Sequence, residues 1–192
     1  MLKIAVVTGS TRPGRKAADV AQWVLENARK RGYATYELLD IADFDLPLYD
    51  EAMPPKMAQY SQPHTKRWAE AVAQYDGFVF VTPEYNHSVP ASLKNALDYL
   101  FAEWNDKSAG IVSYGAMGGV RAAEHLRGIL GELAVADVRA QVALGLATDF
   151  EAYTRFTPTQ AQNGLLSALL DEVVAWAGAL RGVRQDKARR AA

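Results

Sequence analysis

Short, wholly apolar runs alternate along the chain with longer segments whose apolar residues recur at helical spacing. Leu2 to Thr8 is a β-branched apolar run that ends in a Gly/Ser/Pro turn, which predicts a buried strand. From Lys16 to Arg31, Ala18, Ala21, Val24, Leu25 and Ala28 keep a helical period, and Gly32 supplies the stop. Tyr33 to Leu39 predicts a second strand. Ala42 to Gln62, interrupted by proline and tyrosine and holding acidic residues, predicts an irregular loop. Ser61 to Tyr75 predicts a helix with Trp68, Ala71 and Val72 on its apolar side. Gly77 to Thr82 is apolar throughout, as a strand is when helices cover both faces of a parallel sheet.

The second half repeats the alternation. A loop from Pro83 to Pro90 leads to a helix over Ala91–Phe101, then a strand over Lys107–Tyr114 and a glycine-rich turn over Gly115–Gly119. A helix over Val120–Leu133, a strand over Val135–Leu144 and a last helix over Thr159–Leu180 complete the order βαβαβαβαβα. Tyr99, Phe101 and Trp104 close the 91–101 helix with an apolar surface, either core-facing or a two-fold interface walling a substrate pocket. Residues 183–192 are basic and lack apolar periodicity, so a disordered C-terminal tail is expected after a single domain over 1–182.

Right-handed crossovers and five strands predict an α/β, flavodoxin-like three-layer sandwich whose five-stranded parallel sheet has the order 2-1-3-4-5. Ligands of such sheets bind beyond the carboxyl ends of the strands, where the strand order reverses. That rule selects three loops: residues 8–15, 83–90 and 114–119.

Composition and charge narrow the ligand. Of the 192 residues, 49% are apolar and 22% charged, the balance of a compact soluble protein. The formal charge of −1 provides no global field for nucleic acid or an acidic membrane, and speaks against a small acidic electron carrier. The absence of cysteine excludes disulfides, thiolate metal sites and a cysteine nucleophile. His64, His87 and His125 have no metal-ligand spacing, so no metal is expected. No apolar run approaches the ~20 residues that span a bilayer. Met1-Leu2-Lys3 carries no signal-peptide pattern, and a cytoplasmic location is expected.

The loop Gly9-Ser10-Thr11-Arg12-Pro13-Gly14-Arg15 joins a buried strand to a helix N-terminus, whose free N–H groups and partial positive charge suit a phosphate. Ser10 and Thr11 add hydroxyls, and Arg12 and Arg15 add charge-assisted donors. Gly9 and Gly14 let the backbone approach an anion. The dinucleotide pattern G-x-G-x-x-G is absent. Gly9 and Gly14 have Walker A spacing, but Arg15, Lys16 and Ala17 stand where Lys and a magnesium-binding hydroxyl belong. A mononucleotide phosphate fits best. The loop alone leaves open a plain βα turn with two solvated arginines.

In the second loop, Tyr85 offers a face to a planar ring, and Asn86, Ser88 and backbone groups offer edge contacts. Ser88 or Val89 is expected to cap the next helix, with Pro90 in its first turn. Ser88 and Pro90 read equally as pure capping. Glu84 lies beside the proposed ring, although a loop salt bridge accounts for it better than a general acid. Ser113-Tyr114-Gly115-Ala116-Met117-Gly118-Gly119 suits close approach by a planar ligand or a tight turn alone.

Thr8 to Arg15, Thr82-Pro83-Glu84-Tyr85-Asn86 and Pro90-Ala91-Ser92-Leu93-Lys94-Asn95-Ala96-Leu97-Asp98 together resemble the NADPH-dependent FMN reductase family. The similarity covers roughly residues 1–145, and the stretch from Pro83 to Asp98 is the most specific part. The resemblance implies FMN as cofactor, NADPH or NADH as co-substrate, a homodimer or homotetramer, and a ping-pong reaction. Ser10, Thr11, Arg12, Arg15, Lys16 and Ala17 would hold the FMN phosphate. Pro83, Glu84, Tyr85 and Asn86 would line the isoalloxazine, with Ser113, Gly115, Gly118 and Gly119 at its other edge. Lys16-Ala17-Ala18 stands where many members have a further Gly or Ser, so Ala17 would contribute through its backbone N–H.

The reaction this implies is hydride transfer from NAD(P)H to flavin N5, then reduction of a small acceptor: flavin, quinone, azo compound or metal oxyanion. The alternative is a non-catalytic flavin carrier or redox-sensing protein, which usually has a more acidic surface. A nucleotide-dependent regulator on the same fold is disfavoured by the second loop. Arg12, Arg15 or Arg121 would meet a 2′-phosphate, and no spacing argument selects one.

Overall fold

The computed structural model describes residues 1–191. Five strands, β1 (Lys3–Thr8), β2 (Thr35–Asp40), β3 (Gly77–Pro83), β4 (Ser108–Gly115) and β5 (Ala136–Gly145), form one sheet in the order β2-β1-β3-β4-β5. Every neighbouring pair is parallel. This is the expected flavodoxin-like order, with the reversal between β1 and β3.

Strand alternation feeds two cores. Ala5, Val7, Phe78 and Phe80 face one side, where α2 (Pro63–Ala73), α3 (Ala91–Asp98) and α4 (Val120–Glu132) pack. Ile4, Val6, Val79 and Val81 face the other, against α1 (Ala17–Arg31) and α5 (Gln160–Ala191). Burial on both faces leaves no exposed position in β3, which is why Phe78 to Val81 read as a continuous apolar run. At Gly110 in β4 an added Cβ would lie 2.5 Å from the Leu169 side chain, so α5 sits as close as it does because that side chain is missing.

Several expectations are revised. The segment 42–62 contains two 3₁₀ turns, Ile41–Phe44 and Pro55–Met57, the first capped by Asp40, which accepts from the Ala42 N–H. The helix after the second loop ends at Asp98 rather than Phe101. Tyr99 and Trp104 are fully buried, and the Trp104 indole donates to the Leu97 carbonyl at 3.2 Å. Of the two readings of that surface, these residues belong to the core. A hairpin, β6 (Phe150–Glu151) with β7 (Arg155–Phe156), follows β5 where no strand was predicted.

The largest revision concerns the C-terminus. The last helix does not stop at Leu180 but runs to Ala191, through most of the expected tail. Ion pairs carry it onward where apolar spacing ends: Arg181 and Arg184 bind Asp76, and Lys187 binds Asp106 at 2.6 Å. Gln160–Arg190 is also long and apolar enough, by length and composition, to cross a bilayer, so the expectation of no such run is corrected. Leu166, Leu169, Leu170, Val173 and Ala177 of this helix are buried and complete the second core.

Candidate active site

The three loops selected by topology meet at the carboxyl end of β1, β3 and β4. Arg12, Arg15, Lys16, Pro83, Tyr85, Tyr114, Gly115 and Leu146 line one cleft there. A larger hollow of about 910 Å³ lies between α3 and α4 and shares only its Ser88–Val89 rim with the second loop. Backbone and side-chain donors, cationic side chains and aromatic faces converge in the smaller cleft.

The first loop begins where the Gly9 N–H donates to the Val81 carbonyl at 2.9 Å, tying β1 to β3 at the switch point. The Ser10 hydroxyl is buried, accepts from the Arg12 N–H at 3.4 Å and lies 3.1 Å from the Tyr85 hydroxyl. Ser10 therefore holds two loops together. Arg12 is exposed and has no ion-pair partner among the described residues. Arg15 differs, because its guanidinium pairs with Asp40 at the end of β2. α1 starts at Ala17 with Lys16 at its cap position and no side chain capping its N–H groups. Thr11 is turned aside. It lines a neighbouring hollow with Ser92 and Asn95 instead of the cleft shared by the arginines.

In the second loop Pro83 ends β3, and the Glu84 N–H donates to the Tyr114 carbonyl at 2.9 Å, extending the sheet contact by one residue. The Glu84 carboxylate points to α4, accepting from the Arg121 N–H at 3.1 Å and pairing with its guanidinium at 2.5 Å. That is the loop salt bridge, so only the backbone of Glu84 is left to face the cleft. Tyr85 lines the cleft, whereas Asn86, expected to line it as well, is exposed at the corner of a tight turn and is not among the lining residues. Ser88 does not cap α3. Its hydroxyl lies 2.9 Å from His125 Nδ1, and Pro90 occupies the cap position.

In the third loop the Ser113 side chain turns inward, donating to the Gly118 carbonyl at 2.8 Å and receiving the Gln141 amide at 3.3 Å. Ser113 shapes the turn and does not reach the cleft. Gly118 and Gly119 hold φ of 72° and 70°, and a Cβ on Gly119 would lie 2.8 Å from both the N and O of Tyr114. Both glycines are needed for the reversal itself, whereas Gly115 lines the cleft.

Three contributors are absent from the sequence expectation. Tyr114 lines the cleft with its phenol buried; burial pushes its pKa up, against the pull of the Ala17 N–H and of Arg12 and Arg15. Leu146 closes the cleft from beyond β5, its N–H donating to Gly115 O at 3.0 Å. Asp40 fixes Arg15. Tyr114 stood within the glycine-rich stretch and could have been found there; Leu146 carries no local signal. No group of three or more His, Asp or Glu able to hold a metal gathers among the described residues.

The residues suit a phosphorylated planar ligand. The uncapped start of α1 and the unpaired Arg12 answer a phosphate. The Thr8 hydroxyl, at the root of this loop, is buried without any hydrogen-bond partner. Pro83, Tyr85, Tyr114 and Leu146 give the apolar walls a ring needs.

The fold is thus that of a flavodoxin-like α/β protein, with a cleft at its switch point. A model of the family described as NADPH-dependent FMN reductase matches residues 2–149. An NAD(P)H-dependent FMN reductase from Nectria sp is 46% identical over 128 residues, 64% of this chain and 64% of that one. The chain thus spans a little under two thirds of that relative's length. A quinone reductase of Escherichia coli is 38% identical over 136 residues, 67% of this chain and 69% of that one. The solved flavoenzyme FerB of Paracoccus denitrificans, an NAD(P)H:(acceptor) oxidoreductase, shares the fold with a TM-score of 0.71 at 22% identity, over 90% of this chain and 97% of that one. The chain belongs to the NADPH-dependent FMN reductase family.

Proposed function

We propose that the protein passes reducing equivalents from NAD(P)H to a small organic acceptor of the quinone type by a ping-pong mechanism, as a cytoplasmic homodimer or homotetramer. The observation that carries the reading is the meeting, in one cleft, of an uncapped helix start with Arg12 and of apolar walls from Pro83, Tyr85, Tyr114 and Leu146. The relationship to a quinone reductase supports the acceptor class.

Bound FMN supplies the hydride and electron chemistry, and the protein supplies binding and orientation. Arg12 and the N–H groups at Lys16 and Ala17 would hold the phosphate. The Ser10–Tyr85 contact sets the distance between the phosphate loop and the ring loop. Pro83, Tyr85 and Asn86 would meet the ring, and Gly115 and Leu146 would help exclude water from it. Arg15 is spoken for by Asp40, and Ser113, Gly118 and Gly119 act by shaping their turn. One substrate position served in turn by donor and acceptor accounts for the ping-pong order.

Steady-state rates with NADPH and NADH against quinones, azo dyes, free flavin and metal oxyanions test this. Parallel double-reciprocal lines with the highest kcat/KM for quinones are expected. Intersecting lines would refute the ping-pong order, and a protein that neither retains FMN nor oxidises NAD(P)H in its presence would refute the whole reading.

A further inference from the structure

Asn86 and His87 both hold left-handed backbone, with φ of 47° and 74°. They form the corner of a two-residue turn closed by Tyr85 N–H to Ser88 O at 2.9 Å and Ser88 N–H to Tyr85 O at 3.1 Å. A turn with two such corners favours Asn or Gly, so Asn86 suits its place and His87 does not. An unfavourable local conformation persists only where its surroundings hold it.

The first two turns of α4 do the holding. The N–H groups of Arg121 and Ala122 donate to Glu84 Oε2 at 3.1 and 3.4 Å. The Arg121 guanidinium reaches Glu84 Oε1 at 2.5 Å with Nη2, and with Nη1 it donates to His87 Nδ1 at 3.3 Å. Since arginine only donates, Nδ1 of His87 is the accepting, unprotonated nitrogen. At the other end His125 Nδ1 lies 2.9 Å from the Ser88 hydroxyl. One helix therefore grips the residue before the turn, its strained corner and its last residue.

We propose that Arg121 is the positioning residue of this site, supported by His125. Acting through Glu84 and His87, it keeps the Tyr85–Ser88 turn in the left-handed form that presents Tyr85 and Asn86 to FMN. This rests on the FMN reading of the cleft. It also gives Arg121 a task other than meeting a 2′-phosphate, since its guanidinium is committed to two partners of its own chain.

The test is the FMN dissociation constant of flavin-stripped protein, read by quenching of flavin fluorescence. Arg121→Gln raises it about 10- to 100-fold, the loss expected for a charged hydrogen bond. His87→Gly provides a corner that adopts positive φ without cost, so in that background Arg121→Gln has a much smaller effect. Ser88→Ala, which frees the other end of the turn and leaves Arg121 in place, raises the constant about 2- to 10-fold. It carries the test if Arg121→Gln folds poorly by circular dichroism. An unchanged constant in folded Arg121→Gln or in Ser88→Ala overturns the proposal. So does an equal loss from Arg121→Gln in both backgrounds, because the His87 corner would then not be what Arg121 holds. Absence of FMN binding by the parent protein would instead refute the cofactor reading, and this proposal with it.

Discussion

The Ser10 hydroxyl and the Tyr85 phenol lie 3.1 Å apart and join two loops separated by 75 positions in the chain. The contact spans the switch point, with the loop after β1 on one side and the turn after β3 on the other. Tyr85→Phe keeps the aromatic face and removes only the bridge. Loss of one neutral hydrogen bond costs about 0.5–1.5 kcal/mol, so the FMN dissociation constant is expected to rise about 2- to 10-fold. Flavin fluorescence titration measures this. An affinity equal to the parent's would show that the bridge does not set the spacing of the loops.

Gly119 and Gly14 both have positive φ, 70° and 67°, yet their surroundings differ. A Cβ on Gly119 would lie 2.8 Å from Tyr114 N and O, while one on Gly14 meets nothing within 4 Å. Gly14→Ala should therefore carry only the left-handed penalty of about 1–2 kcal/mol. Gly119→Ala adds a clash with backbone that cannot yield without displacing the end of β4, and should cost at least about 1 kcal/mol more and release FMN. Urea unfolding and retained flavin absorbance separate the two, and equal destabilisation would contradict the geometry.

The order of the elements can be read from the chain because the strands are buried on both faces and the helices on one. Phe78-Val79-Phe80-Val81 admits no other comfortable place, and the sheet order follows from connection rules. The cleft was only partly readable. Ser10, Arg12 and Tyr85 carry their chemistry in their residue type and loop position. Tyr114 stands in the glycine-rich stretch where its loop was legible, and Leu146 joins the cleft only because the chain leaving β5 bends back to Gly115. The side-chain directions of Glu84 and Ser113 depend on α4 and Gln141, which no local pattern specifies. The end of α5 was missed for a related reason. Apolar spacing stops at Leu180, and the ion pairs that continue the helix reach Asp76, 105 and 108 positions away.

Asp76 predicts how that helix end fails. Its carboxylate receives the Lys3 N–H at 2.9 Å and Arg181 Nε at 3.0 Å, and it pairs with Arg184 as well. Burial alone would raise its pKa, but hydrogen bonds from Arg181 and the Lys3 N–H hold it below the ordinary carboxylate range. Stability from this group is thus present above the ordinary value near 4 and lost as pH falls below it. Asp76→Asn leaves two arginines without their anion and should cost about 1–3 kcal/mol near neutrality. Hydrogen exchange should show faster opening of residues 181–187 and little change in α1. Uniform exchange along α5 would mean that its end does not depend on Asp76.

Lys107 predicts stability in the alkaline range. Its side chain is buried, and Nζ donates to Val72 O at 2.9 Å and Ala73 O at 3.3 Å, at the end of α2. Burial lowers its pKa from 10.5 to about 7, nearby Arg184 pushes the same way, and Asp76 and Glu103 oppose. The unfolded chain keeps this proton until pH approaches the ordinary lysine value, whereas the folded protein gives it up near neutrality. Between those limits the unfolded state binds more protons, so stability rises with pH, by at most about 1.4 kcal/mol per unit. The rise ends below about pH 7, where both states hold the proton, and is masked near pH 10, where tyrosines begin to titrate. Lys107→Met keeps the apolar stem and removes the titrating group. Urea midpoints should therefore climb from about pH 7 to about pH 9 in the parent and stay nearly level in the variant. Parallel curves for the two proteins would show that Lys107 keeps its proton in the folded state, held by the α2 carbonyls against the cost of burial.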